Sequence, residues 1–262
     1  MTPLFFGTSD KPLFGVYHPP TSDQYKSSCC LICNPVGHEY NKSHNALHSL
    51  ANRLSKAGFA VLRFDYYGTG DSSGESDAGN CDQWLHDIDI AAQELRDMSG
   101  EQKINIIGLR AGALLCAHYA ESQRIDQLLL WDPVIDGNQY IDQLTVMQKD
   151  MLIDADRFDY PISIKTKNEF LGSPYSTELQ KQLRDLSINS LKKIKAHTVH
   201  IFTSSQTELD SLEKIFSEKS KRVSSHKTEE HEDWNDILRI EDILLSSKSI
   251  QTICDAMSNN NE

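Results

Sequence analysis

KINIIGLRAGALL, residues 103–115, runs from a short apolar strand into an apolar helix across a turn of small residues. Gly108-Leu109-Arg110-Ala111-Gly112 has the frame G-x-S-x-G, in which a sharp strand-to-helix turn holds a nucleophile out over the end of a sheet. Glycines at the two ends let strand and helix pack closely, and the central residue takes a strained backbone. Here the central residue is arginine. A guanidinium stays protonated at any relevant pH and has no available lone pair, so it cannot attack a carbonyl. The serine-histidine-acid route to covalent catalysis is closed at this position.

The flanking sequence repeats one unit. "SCCLICN" (28–34) is a continuous apolar run of the length of a strand buried on both faces, and "FAVLRFD" (59–65), "KINIIG" (103–108) and "QLLLW" (127–131) read as further strands. Between them lie helical patterns: Leu47, Leu50, Ala51 and Leu54 before Gly58, then Trp84, Ile88, Ala91, Ala92 and Leu95, then "AGALLCAHYAES" after the elbow. "LFGVYHP" (13–19) adds an early strand, and "TVHIFTS" (198–204) and "VSSHKT" (223–228) add late ones. Strand–helix alternation of this length implies right-handed crossovers and a mostly parallel sheet of about eight strands. Polar helical stretches replace the pattern over 137–195, and no Gly/Pro-rich linker bounds them. They read as a helical cap inserted into a single α/β domain over 1–250. Residues 236–257 read as a helical close, and 251–262 as its end with a polar tail.

Composition excludes several classes. The 262 residues carry a formal net charge of −12, which disfavours general binding to nucleic acid or to an anionic membrane. No apolar run reaches the ~20 residues that span a bilayer, and "MTPLFFGTSDK" lacks the basic start and apolar length of a leader. Six cysteines sit mostly in apolar runs, as buried thiols of a cytoplasmic protein do. Cys30 and Cys33 lie three apart on a strand and so face opposite ways, which argues against a metal site. No cofactor motif is present.

Ligands of parallel sheets collect beyond the strands' carboxyl ends, so four loops matter. In "NPVGHEYNKSH" the amides of Val36 and Gly37 are candidate oxyanion donors, joined by the amide of Ala111 just past the elbow. In "DYYGTGDSSG" Ser72 and Ser73 lie outside any elbow and read as turn residues. Beyond the last strand, "SSHKTEEHEDWND" supplies His231 on a loop, whereas His226 falls within the strand. The acid that would orient His231 is ambiguous: Asp132 follows the strand at 127–131, and Glu208 and Asp210 follow the one at 198–204.

"LFGVYHPP", "NKSH", "FAVLRFDYYGTGDSSG", "GLRAGALL" and "LWDPVIDGNQYIDQL" together resemble the exosortase A system-associated hydrolases, in the serine aminopeptidase-like branch of the α/β-hydrolase superfamily. The likeness runs from about residue 5 to about residue 245. It implies an α/β-hydrolase fold in which arginine at the elbow is a trait of the branch. It also implies acyl substrates, with an acyl carrier as a conceivable partner.

Arg110 then has three possible roles. It closes an anion site for a carboxylate, phosphate or acyl conjugate, together with the helix N-terminus and loop amides. It stabilises an oxyanion in an atypical hydrolase or acyl-transfer enzyme in which His231 moves the proton. Or it pairs inward with Glu39, Asp65 or Asp132 and plugs the pocket.

Overall fold

A computed structural model describes residues 1–153, 168–230, 232–239, 242–244 and 246–259. Its centre is an eight-stranded sheet. The strands are β1 (Thr2–Gly7), β2 (Pro12–His18), β3 (Cys29–Cys33), β4 (Ala60–Phe64), β5 (Ile104–Leu109), β6 (Ile125–Trp131), β9 (Ala196–Thr203) and β10 (Val223–Lys227). A separate hairpin, β7 (Glu169–Phe170) with β8 (Ser173–Pro174), lies outside it. The sheet order is β1-β2-β4-β3-β5-β6-β9-β10; β1, β2 and β4 pair antiparallel and the rest pair parallel.

Every residue of β3, β4 and β5 is buried, which is why these strands, Arg63 and Asn105 apart, are apolar on both faces. Helices α2 (Cys81–Ser99) and α3 (Ala111–Ser122) cover one face, and α1 (His38–Lys56) and α7 (Ser247–Asn259) cover the other. Helix α2 has the ends its sequence encodes. Asn80 accepts from the Gln83 amide at 3.0 Å, and Gly100 ends the helix at φ 75°. Cys30 packs with the α1/α7 face and Cys33 with the α2/α3 face, so the two thiols do not converge.

Three boundaries differ from the sequence reading. Strand β1 pairs with β2 from Pro12 to Tyr17, although its short, partly exposed run carries no clear alternation. Helix α1 starts at His38, well before its apolar stripe, because the polar residues of its first turn are buried by partners far away in sequence. The single closing helix over 236–257 does not form as one piece. Among the described residues there is a 3-10 turn at Ile237–Arg239, and then α7 from Ser247.

Helices α4 (Gly137–Ile153) and α5 (Thr177–Asp185) lie over the carboxyl ends of the strands, where Tyr140 of α4 and Tyr175 just before α5 reach Glu39 and one another. Helix α6 (Gln206–Ser217) follows β9. Among the described residues no helix is long and apolar enough to cross a membrane.

Candidate functional site

The turn after β5 has the elbow geometry its glycines predict. Arg110 has φ 54° and ψ −122°, a strained conformation for a residue with a side chain. A Cβ on Gly108 would meet the backbone of Ala113 at 2.5 Å, and one on Gly112 would run into the Asn34 carbonyl. The backbone is then tied on all sides. The Arg110 amide donates to the Trp131 carbonyl at 3.1 Å, and the Arg110 carbonyl accepts from the amides of Ala113 (3.0 Å), Leu114 (3.3 Å) and Val134 (3.2 Å).

The arginine side chain turns inward. Its Nε donates to Glu39 Oε1 at 2.9 Å and its Nη1 to the Asp132 carbonyl at 3.2 Å. The guanidinium carbon lies 5.0 Å from the centre of the Trp234 ring, a cation–π contact. The two side chains of the ion pair are only 13% and 1% exposed. The second Glu39 oxygen accepts from the Tyr140 hydroxyl at 3.2 Å, and the Tyr140 and Tyr175 hydroxyls are 3.4 Å apart. Burial alone would lower the Arg110 pKa, but the charge and hydrogen bond of Glu39, with Tyr140 and Asp132, together outweigh it and raise the pKa. Burial first, and then the Glu39 charge, push the Tyr140 phenol well up, so it serves as a neutral donor.

Glu39 is therefore the inward partner of Arg110. Asp65 is engaged elsewhere, by Asn34, by the Tyr40 hydroxyl and by the Asp71 amide. Asp132 meets the guanidinium through its carbonyl, while its carboxylate accepts from Trp234 Nε1 at 3.4 Å. Burial raises the Asp132 pKa to about 6, against the opposing effects of Arg110, Trp234 and Thr203.

Two cavities flank this bar of side chains. One, of about 280 Å³, is lined by Arg110, Tyr140, Trp234 and the carboxylates of Asp132, Asp136, Glu208, Glu232 and Asp233, with Arg110 its one cation among the described residues. The other, of about 170 Å³, is lined by Val36, Gly37, Trp84, Pro174, Tyr175 and Leu179 among others. Tyr140 walls the first and Tyr175 the second, and their touching hydroxyls mark the boundary.

The expected oxyanion donors are thus divided. Val36 and Gly37 face the second cavity and Arg110 the first, while Ala111 is fully buried at the start of α3. An anion bridging all three is not what this arrangement accommodates, because Glu39 and the two tyrosines stand between them. Glu208 reaches the first cavity and accepts from the Thr203 hydroxyl at 3.2 Å. Asp210 is exposed and accepts from Gln206. His231 lies outside the described residues. Ser72 is a turn residue: its hydroxyl donates to the Asp65 carbonyl at 2.6 Å and accepts from the Phe14 amide at 2.8 Å. Tyr140, Tyr175, Trp234 and Glu232 were not legible as site residues, since each reaches the elbow from a distant segment without a local motif.

Residues 35–209 match the family model described as serine aminopeptidase, S33. No curated protein matches the sequence. Among solved structures, Est1E from Butyrivibrio proteoclasticus with bound ferulic acid superposes with a TM-score of 0.66 at 15% identity, covering 98% of this chain and 96% of that one. Proline iminopeptidase from Mycobacterium smegmatis superposes with a TM-score of 0.62 at 12% identity, covering 99% of both chains. An esterase from Pyrococcus furiosus gives a TM-score of 0.61 at 16% identity, over 98% of this chain and 87% of that one. Identities this low speak to fold alone. The family match spans more than half of the sequence and takes in the elbow, the loop before α1 and helices α4 and α5, so the chain belongs to the serine aminopeptidase S33 family and has the α/β-hydrolase fold.

Proposed function

We propose that this protein is a non-hydrolytic member of its family, a small-molecule pocket whose floor is closed by the Arg110–Glu39 pair. The observation that carries this reading is the inward guanidinium. It occupies the point where a nucleophile would stand, and its Nε and Nη1 already donate to Glu39 and to the Asp132 carbonyl. That engagement weakens the case for a free anion site at Arg110. The walls weaken it further: Glu232 is paired with Lys42 and Arg110 with Glu39, which leaves Asp132, Asp136, Glu208 and Asp233 as lining carboxylates without an ion-pair partner among the described residues. The charge balance favours a small polar ligand that is cationic or uncharged, held by the carboxylates and the Trp234 face. A second reading has its own support: the apolar walls Val36, Trp84, Pro174 and Leu179 suit an acyl group in the other cavity.

Two isosteric probes of opposite charge, benzylamine and benzoate, test the reading alongside an ester assay. Benzylamine is expected to raise the melting temperature saturably and benzoate is not. p-Nitrophenyl butyrate is expected to be cleaved no faster than by heat-inactivated protein. Ester turnover that disappears in Arg110→Met, or a benzoate shift that disappears in the same variant, would overturn the proposal.

A further inference from the structure

A second arginine, remote from the elbow, has a largely buried side chain with no protein partner among the described residues. Arg63 on β4 is 9% exposed; its Nε is inaccessible and unbonded, its Nη groups reach solvent, and its side chain makes no hydrogen bond or ion pair among the described residues. In the β2–β4 register Val16 sits opposite Arg63 and His18 opposite Val61, so His18 and Arg63 are diagonal neighbours on one face of the sheet. His18 is 2% exposed, and its Nε2 is likewise buried and unbonded.

Helix α1 lies over this face with Tyr40, His44, His48 and Asn52 at successive four-residue steps, which forms one stripe. A hydrogen-bonded chain links stripe and strand: His18 Nδ1 meets Asn52 Oδ1 at 3.1 Å, and Asn52 Nδ2 meets His48 Nε2 at 2.9 Å. With the amide assigned this way, His18 Nδ1 donates and its Nε2 carries a lone pair in the neutral ring. His48 is half-buried and His44 exposed, so the cluster opens to solvent along α1. The nearest carboxylate, Asp65, acts on Arg63 only at a distance, because Asn34, Tyr40 and the Asp71 amide hold its oxygens.

A buried guanidinium without a direct counter-charge is unfavourable unless something pairs with it. We propose that Arg63 and His18, with His48 and His44 at the mouth, form a binding site for a small oxyanion of the sulfate or phosphate type. Arg63 supplies fixed donors, and His18 supplies one more through Nε2 once it takes up a proton. Burial and then the charges of Arg63, His48 and the chain's amino terminus hold the His18 pKa down at about 4, with Asn52 opposing them. An anion beside His18 offsets those charges, so occupancy and protonation reinforce one another and binding strengthens as the pH falls from 8 to 6. Of the other titratable groups on the face, Tyr40 and Asp65 are engaged with each other, while His44 and His48 line the mouth.

Sulfate is a suitable probe because it does not titrate in this range. Thermal unfolding of the full chain is followed against sodium sulfate at pH 6 and pH 8, with chloride holding the ionic strength constant. The expected result is a saturable rise of about 3 °C at tenfold excess over Kd, larger at pH 6. Arg63→Met should abolish the rise at both pH values. It should also melt no lower than the parent without sulfate, since it removes an unpaired buried charge. His18→Gln should keep the pH 8 response and reduce the gain at pH 6, and adding His44→Gln and His48→Gln should remove the rest. A sulfate response that survives Arg63→Met, or one removed by Arg110→Met, would overturn the proposal, and only the latter touches the elbow pocket. A large loss of stability in Arg63→Met without sulfate would overturn it too, by showing that Arg63 is already paired within the fold.

Discussion

Truncation of Arg110 tests whether its pair with Glu39 holds the fold together. In Arg110→Ala, Glu39, at 1% exposure, keeps only the Tyr140 hydroxyl as a donor, and a buried carboxylate is left without its cation. Removing one member of a buried pair typically costs about 3–5 kcal/mol. The arginine side chain is 13% exposed, so some water reaches the vacated site and the lower part of that range applies, about 3 kcal/mol. For a chain of this size that corresponds to a fall in Tm of roughly 6–12 °C. Urea unfolding of Arg110→Met, Glu39→Gln and the double variant closes the cycle. The coupling energy should be about 2 kcal/mol, with the double variant more stable than the sum of the singles implies. A fall below about 0.5 kcal/mol in Arg110→Ala, with no coupling in the cycle, would refute the reasoning. The guanidinium would then be a solvated head and not the closure of the pocket floor.

Two further outcomes concern pH. Asp132, raised by burial to about 6 from 3.8, binds more protons folded than unfolded between those values, so it contributes stability at low pH that is lost as the pH rises through about 6. Asp132→Asn should therefore be more stable than the parent at pH 7 by about 1–2 kcal/mol, with the difference gone below pH 4, as read by urea titration at both pH values. His200 and His226 contact each other through ring nitrogens 3.1 Å apart, and burial lowers both, His200 to about 4. Their contribution has the opposite sign: it is present above about 6.5 and lost as the pH falls toward 4, so His226→Gln should flatten the acid limb of a Tm-against-pH curve.

The fold was readable because its deciding segments carry their signal locally. β3 and β5 are apolar runs bounded by turn residues, and Gly108 and Gly112 mark a close strand–helix approach that any larger residue would block. The site was less readable because its logic is long-range. Glu39 was identifiable as an acid near the right loop, and as one of three carboxylates able to meet Arg110. Its selection over Asp65 and Asp132 depends on Tyr140, which approaches from 101 residues away. Burial of a carboxylate in the first turn of α1 leaves no trace in the hydrophobic pattern, so that turn read as loop. The acidic wall of the first cavity was equally hidden, since Asp136, Glu208, Glu232 and Asp233 come from three separate segments.

A strained elbow that carries arginine at its centre has a packing explanation. The conformation of residue 110 is over-determined: its carbonyl accepts from three amides, its own amide is bonded to β6, and Gly112 lies against the Asn34 carbonyl. Relaxing the turn would mean moving α3 off the sheet, at a cost in buried apolar contacts larger than the roughly 1–3 kcal/mol stored in the backbone. The side chain at 110 is freer to change than the turn that carries it, provided the new group suits the space above the strand ends. Arginine suits that space only because Glu39 is there to receive it, and Glu39 tolerates burial only because arginine is there to neutralise it. Positions 39 and 110 therefore act as one unit. A substitution at either changes the charge of the pocket floor and not only the identity of one group.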